Sequence, residues 1–486
     1  MFQFGIFRIG ERLYDDFVCG LNCGRFLDDV EIKNVECLYF EQKKLEKIFM
    51  SIIICAFQQM LAVLAATIAV PAIVGNGLTP ASAMFGAGVG TLVYLAFTQF
   101  RSPVFLGSSF AFIGPMFAAF AGGVSMSLGM LGLIIGSFFA GLVYVVISLV
   151  VRFTGTGWVN RVMPPVIIGP TVSIIGLSLA RNAISDLGRL DAAPNIEDPS
   201  WIAILCGLVT LFVTMICATF GNKKLRMMPF IVGILAGYAV ASIFTFIGLS
   251  YDIQSLRVID FSVFETYMMP RGELALRSFF GVPDFVFRHA LGGISEVTLP
   301  YVITIFVAYV PVSFVVFAEH IADHKNLSSI IGTDLLEDPG LHRTLNGDGI
   351  GSMVGAFYGG CPNTTYGESI ACVAITGNFS THAIGIAAAG CIAFSFLTPF
   401  VAFIDSIPAC VMGGVCIALY GFIAVSGLKM LQKVNLDENK NLFVASTIFI
   451  AGVGGLTVTV GAVTLTSIAA ALILGILVNL VLKEPK

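Results

Sequence analysis

The chain has 486 residues, of which 57% are hydrophobic and 12% charged, with a formal net charge of −4. Its mean hydropathy of +0.93 is far from that of a soluble globular domain. The slightly acidic balance offers no basic surface for nucleic acid, and no HExxH, GxSxG or Walker pattern stands where an intramembrane enzyme or an ATP-driven pump needs one.

Residues 1–49 are polar and mixed in charge, with no apolar run long enough for a signal sequence. They read as a cytoplasmic amino-terminal segment, or as a start assigned too far upstream with Met50 as the alternative, and no function is assigned to them. Cys19 and Cys23 have the spacing of a metal-ligand pair, but only Cys37 lies nearby and no His accompanies them, so no metal site is expected. Of the eleven cysteines, Cys206, Cys217, Cys372, Cys391, Cys410 and Cys416 sit singly in apolar runs and read as small buried hydrophobes.

From there on the chain is a polytopic membrane protein. No Asp, Glu, Lys or Arg occurs in 48–100, 102–151, 227–251, 297–318 or 441–482, and each interval holds one or two helices of about 20 residues. Gly, Pro and charge as punctuation predict fourteen spans: 52–74, 82–100, 104–121, 129–151, 164–181, 200–220, 227–248, 296–319, 345–360, 363–378, 381–402, 406–426, 440–458 and 462–482. The third and tenth contain LGSSFAFIGP and CPNTTYGES, with polar, Gly and Pro residues where a simple helix carries Leu and Ile. Both are predicted to break into short strand-like pieces at membrane depth.

Seven spans precede the long loop at 249–295 and seven follow it. Residues 50–248 and 296–486 therefore read as two repeats, each broken in its third span, which is the pattern of an inverted repeat. The breaks are expected to meet near the midplane, where half-helix N-termini and free N–H groups face the carbonyl oxygens of a ligand. Basic residues set the orientation: Lys43, Lys44 and Lys47, Arg101, Arg152 with Arg161, Lys223, Lys224 and Arg226, Lys325 with Arg343, Lys429 with Lys433, and Lys483 fall on one side. The positive-inside rule then puts both termini in the cytoplasm and the 249–295 loop outside.

Glu368 is the only Asp, Glu, Lys or Arg between Asp348 and Asp405. An ionised side chain at membrane depth costs about 2.5–3.5 kcal/mol on insertion scales, so such a residue faces a cavity and handles a substrate, an ion or a proton unless it sits at the water interface. Glu319 ends a charge-free span, with Asp323 one turn on along the same face; position alone leaves open whether it is a site residue or a helix end meeting water. His320, Asp323 and His324 approach the polar loop expected after that span. Two acids brought together at the break could accept two N–H donors from one planar ligand.

The motifs QQMLAVLAATIAVP (58–71), LGSSFAFIGP (106–115), GTGW (155–158), AEH (318–320), DPGLHR (338–343), PNTTYGES (362–369) and PACVMGGVCIALYG (408–421) occur in order. Together they closely resemble the uracil permeases of the nucleobase-ascorbate transporter family, also called nucleobase:cation symporter-2, from about residue 50 to the end. The resemblance implies an all-α polytopic fold of fourteen spans in two inverted repeats, divided into a core domain (spans 1–4 and 8–11) and a gate domain (5–7 and 12–14). It implies that Glu319 and Glu368 bind the N–H and carbonyl edge of a pyrimidine and that the amides of Phe110 and Gly367 donate to its carbonyl oxygens. Ala66, Tyr366 and Tyr420 would line the pocket; without the resemblance, Phe110, Tyr366 and Tyr420 read equally as aromatic core.

Three positions depart from the family pattern. Asp323 stands where uracil permeases carry a His four residues after the first Glu, a feature shared with purine-transporting relatives. Ser369 and Ala371 replace the Asn and Gly that usually follow the second acid, while xanthine and urate carriers have Gln at the position of Glu368. The expectation is proton-coupled uptake of a nucleobase, uracil first, by alternating access, with Glu319 and Asp323 in proton coupling and no cofactor. A xanthine or purine symporter of the same family, or an anion transporter of the same fold, is the alternative. The bacterial cell membrane and a homodimer formed through the gate domain are implied as well.

Overall fold

The computed structural model describes residues 30–155, 158, 164–192, 199–222, 225–226, 228–269, 278–460 and 463–482. Cys19, Cys23, the centre of the GTGW motif, Arg161, Lys223, Lys224, Arg271, Arg277 and Lys483 lie outside the described residues. The chain divides at Ile52 into two units. Residues 30–52 of the first are helical, and the second, from Ile53 on, carries everything that follows.

Fourteen segments follow one another in the order read from the sequence. The first half contains α1 (Val30–Val74), α2 (Pro80–Phe97), β1 (Leu106–Ser108) leading through a 3-10 turn into α3 (Ile113–Ala119), α4 (Met126–Thr154), α5 (Pro165–Leu187), α6 (Trp201–Phe220) and α7 (Pro229–Ser250). The second contains α8 (Leu299–Ile331), α9 (Leu341–Gly359), β2 (Asn363–Thr365) leading into α10 (Gly367–Thr376), α11 (Thr381–Ser395), α12 (Ala409–Leu431), α13 (Asn439–Val453) and α14 (Ser467–Val481). Among the described residues, eight helices are long and apolar enough to cross a membrane, including the Met50–Val74 part of α1. Phe110–Gly123, α10, α11 and α14 are apolar but shorter.

Local chemistry sets where helices begin. Thr79, Ser125, Thr298 and Thr466 each accept from the backbone N–H three residues on, at 3.1–3.4 Å, at the starts of α2, α4, α8 and α14. Pro80 and Pro300 fill first-turn positions where no N–H is needed.

Packing sorts the helices into two groups. α2 packs on α9 and α11, and α4 on α8 and α9; α12 packs on α5 and α6, α6 on α7, and α13 on α5 and α14. These two groups correspond to the core and gate domains that the resemblance implies. The α2–α9 contact is a backbone-to-backbone approach: a Cβ on Gly86 would stand 2.4 Å from the carbonyl oxygen of Gly355, and one on Gly90 would stand 2.7 Å from that of Gly351. Small residues allow such close packing where no hydrophobic effect drives helices together in lipid.

Three elements differ from the sequence expectation. α8 does not end at Glu319 but runs on to Gly332, whose left-handed φ of 76° closes it; His320, Asp323 and His324 therefore lie inside a helix. Span 11 is interrupted after Ser395, and a separate short helix, Thr398–Asp405, precedes α12. The reason is tertiary: the long loop lays Phe279–Gly281 against Phe396–Thr398, with Gly281 N donating to Phe396 O (2.9 Å) and Thr398 N to Phe279 O (3.0 Å). Between α13 and α14 the alternating TVTV and VTLT runs form an antiparallel hairpin, β3 (Val458–Val460) with β4 (Val463–Leu465).

The Gly86→Ala variant should unfold at a lower temperature in detergent, since overpacking of this kind costs about 1–3 kcal/mol. An unchanged melting curve would contradict the close α2–α9 approach.

Candidate functional site

The site is built on the pairing of the two broken segments. β1 and β2 run antiparallel, with Leu106 opposite Thr365, Gly107 opposite Thr364 and Ser108 opposite Asn363. Tyr366 N donates to Phe105 O (3.2 Å) and Ser109 N to Pro362 O (2.8 Å), which extends the ladder at both ends. All six strand residues are buried, so the outer edges need partners as well. Thr91 Oγ1 of α2 accepts from Leu106 N (3.0 Å) and lies 3.1 Å from Leu106 O. Ser352 Oγ of α9 accepts from Asn363 N (3.0 Å), and Asn363 Nδ2 donates to Gly86 O (3.1 Å).

This ribbon launches two short helices. α10 starts at Gly367, so the N–H groups of Gly367, Glu368 and Ser369 have no partner within the helix and carry its positive end. Gly367 is exposed, with open space where its Cβ would be. Phe110 opens the turn that follows β1. The Tyr366 ring packs against Gly107, where any Cβ would come within 2.3 Å of it, and its hydroxyl donates to Ser108 O (2.7 Å).

A cavity of about 380 Å3 lies between the two domains. Its core wall comprises Leu61 and Ala62 of α1, Ser109–Ala111, the α8 residues Glu319, Ala322 and Asp323, and the run from Thr364 to Glu368 continuing into α10; its gate wall is formed by α5, α6, α7 and α12. Arg226, Met228 and Met430 line one extremity, so the cavity reaches the end of the bundle that carries the α6–α7 connection. Arg226 is fixed there by donating through Nε to Gly221 O (2.8 Å) and through Nη2 to Thr219 O (3.0 Å).

Three half-buried carboxylates therefore face one mostly apolar space: Glu319 and Asp323 from successive turns of α8, and Glu368 from the first turn of α10. Thr365 Oγ1 donates to Asp323 Oδ2 at 2.6 Å, which ties the second acid to β2. Phe110, Tyr366 and Gly367 also line the cavity. Ala66 and Tyr420 do not. Ala66 is buried within α1 one turn beyond Ala62, and Tyr420 is buried on α12 behind Phe110, their rings meeting edge to face at 5.7 Å.

Ser369 takes a defined part. Its hydroxyl accepts from Phe105 N at 3.3 Å and its carbonyl accepts from Gln59 Nε2 at 3.2 Å, so it joins α10 to the entrance of β1 and to α1. Sequence reasoning missed Thr91, Ser352 and Thr365, whose hydroxyl partners lie in a different element, 15, 11 and 42 residues away. It also missed Asp348, which is buried on α9; the signal that marked Glu368, a carboxylate inside a Gly-rich apolar run, was present there too.

The fold is that of a fourteen-segment inverted-repeat membrane transporter. It resembles the transmembrane domain of the cyanobacterial bicarbonate transporter BicA, with a TM-score of 0.57 at 14% identity, covering 89% of this chain and 97% of that one. It also resembles murine Slc26a9, an anion transporter in the inward-facing state, with a TM-score of 0.60 at 12% identity, covering 97% of this chain and 74% of that one. In sequence, the model described as "Permease family" (Xan_ur_permease) matches residues 50–461. The uracil permease of Bacillus subtilis is 37% identical over 438 residues, 89% of this chain and 92% of that protein. The uracil permease of Bacillus caldolyticus is 38% identical over 435 residues, 88% and 91%, and that of Escherichia coli K12 is 34% identical over 430, 88% and 90%. The chain belongs to this permease family and is a multi-pass membrane transport protein rather than an enzyme.

Ser369→Ala leaves Phe105 N buried without its partner, a loss of about 1–3 kcal/mol. Its melting temperature should fall below that of the parent, and an equal value would show that the hydroxyl does not hold α10 to β1.

Proposed function

We propose that the chain imports a nucleobase, uracil first, in symport with protons by alternating access. The observation that carries this is the juxtaposition, in one cavity, of acceptors on Glu319 and Glu368 with the first-turn N–H groups of α10, which have no partner within the helix. A uracil-like ring presents alternating N–H donors and carbonyl acceptors on one edge, and this arrangement answers both. The names of the relatives support the same substrate. Three carboxylates disfavour an anion in the site, although the fold is shared with anion carriers.

In this reading a proton on Glu319 favours binding, and its release to the cytoplasm weakens it; Asp323 is the second proton-coupling acid. The core domain moves against the gate domain as a largely rigid body. With the protein in the plasma membrane and both termini in the cytoplasm, as the basic residues suggest, the Arg226 end of the cavity is the cytoplasmic mouth. A homodimer through gate-domain spans completes the proposal. A purine substrate is the second reading, favoured by one observation: Asp323 lines the cavity as a third acceptor, which matches a ring with an additional N–H.

Glu368→Gln replaces one acceptor oxygen by a donor and should abolish uracil binding by purified protein, a loss of at least tenfold in Kd; near-parental affinity would sink the assignment. Glu319→Gln should retain binding and equilibrative exchange while losing accumulation driven by a pH gradient. Accumulation at the parental level would remove Glu319 from proton coupling.

A further inference from the structure

Each cavity acid of α8 is followed in sequence by a histidine, Glu319 by His320 and Asp323 by His324. One residue along a helix is a rotation of about 100°, so the acids and the histidines occupy different faces. The histidine face is wholly buried in the core domain, His320 and His324 both at 0% exposure. Their rings stack at 4.1 Å.

Both are engaged by neighbouring elements. His320 Nδ1 is hydrogen-bonded to Asp348 Oδ2 of α9 at 2.6 Å, and its Nε2 lies 3.0 Å from Thr344 Oγ1, also on α9. His324 Nδ1 donates to the carbonyl oxygen of His320 (2.8 Å), which leaves its Nε2 to accept from the Tyr94 hydroxyl of α2 (2.7 Å); Tyr94 in turn meets Ser102 at 2.7 Å. None of His320, His324, Asp348 or Tyr94 lines the cavity. Their polar partners are on α2, on α9 and in α8 itself, Tyr144 of α4 meets the His320 ring edge to face at 6.1 Å, and α9 is also the helix whose Ser352 holds β2.

We propose that the His320–Asp348 pair is a positioning device for the cavity, fixing the rotation of α8 relative to α9 and thereby the placement of Glu319 and Asp323 opposite Glu368. The inference rests on the reading of the cavity as the substrate site. A side-chain pair buried on both sides has one hydrogen-bonded arrangement, and rotating α8 breaks it and leaves two buried polar groups without partners. Because β2 is anchored to α9 through Ser352 and reaches Asp323 through Thr365, one helix sets both sides of the site. Removing either partner therefore acts on ligand affinity through the acids, without a contact to ligand.

The test uses full-length protein purified in detergent, with equilibrium binding measured on the monodisperse, folded fraction. The ligand is radiolabelled uracil, or the base the parent binds in a parallel screen. The variants are His320→Gln, Asp348→Asn and the double His320→Gln/Asp348→Asn, whose two carboxamides can hydrogen-bond to each other. Each single variant is expected to weaken binding at least tenfold, and the double to recover to within about threefold of the parent. A pair that only stabilised the fold would lower melting temperatures while leaving the affinity of folded protein unchanged, and that result overturns the proposal. So does a double variant no better than the worse single. If either single fails to fold, the double against the parent still decides, since positioning requires its affinity to be near parental. Should the parent bind no nucleobase, the reading of the cavity fails first, and that outcome is distinct from parental binding with unaffected single variants.

Discussion

In hydrocarbon an unpaired backbone N–H or C=O costs several kcal/mol, and the third and tenth segments of this chain each place a stretch of extended backbone inside the bundle. Neither could exist there alone. They satisfy each other, strand to strand, and the two outer edges are completed by Thr91 and Ser352. The arrangement binds the first repeat to the second at one place. The positive end of α10, the Phe110 turn and Glu368 are all positioned by that two-stranded ribbon, so the candidate site depends on it.

The second constraint is helical geometry in α8. Acids at positions 319 and 323 share one face and histidines at 320 and 324 another, so a single helix presents carboxylates to the cavity and holds itself in the core by buried hydrogen bonds. The gate domain contributes a mostly apolar wall, with Arg226 at the mouth. The carboxylates thus converge from the core side, which suits a site that is carried by one domain past another.

Much of this was legible in the residues. Charge-free intervals and Gly/Pro punctuation located fourteen segments, and the polar run CPNTTYGES stood out because it contradicts what lipid requires. Long-range pairing was not legible: nothing in the composition of LGSSFAF says that its edge is completed by Thr91, or that Ser369 receives the N–H of Phe105. The end of span 8 was misplaced for a related reason. Charge at Glu319 signals water when read along the chain, but in the folded molecule the helix continues and the charge faces an internal cavity. Ala66 and Tyr420, which the family resemblance assigns to the pocket, lie outside its lining: Ala66 shares a face of α1 with Ala62 but stands one turn beyond the cavity, and Tyr420 is buried against Phe110.

In the proposed function these carboxylates and N–H groups select a neutral nucleobase. Counterflow of labelled uracil, xanthine and sulfate into proteoliposomes, with and without an inward-directed proton gradient, tests it most directly. Uracil should exchange, accumulating only when the gradient is imposed, and sulfate should not exchange. Sulfate exchange in the absence of uracil exchange would contradict this.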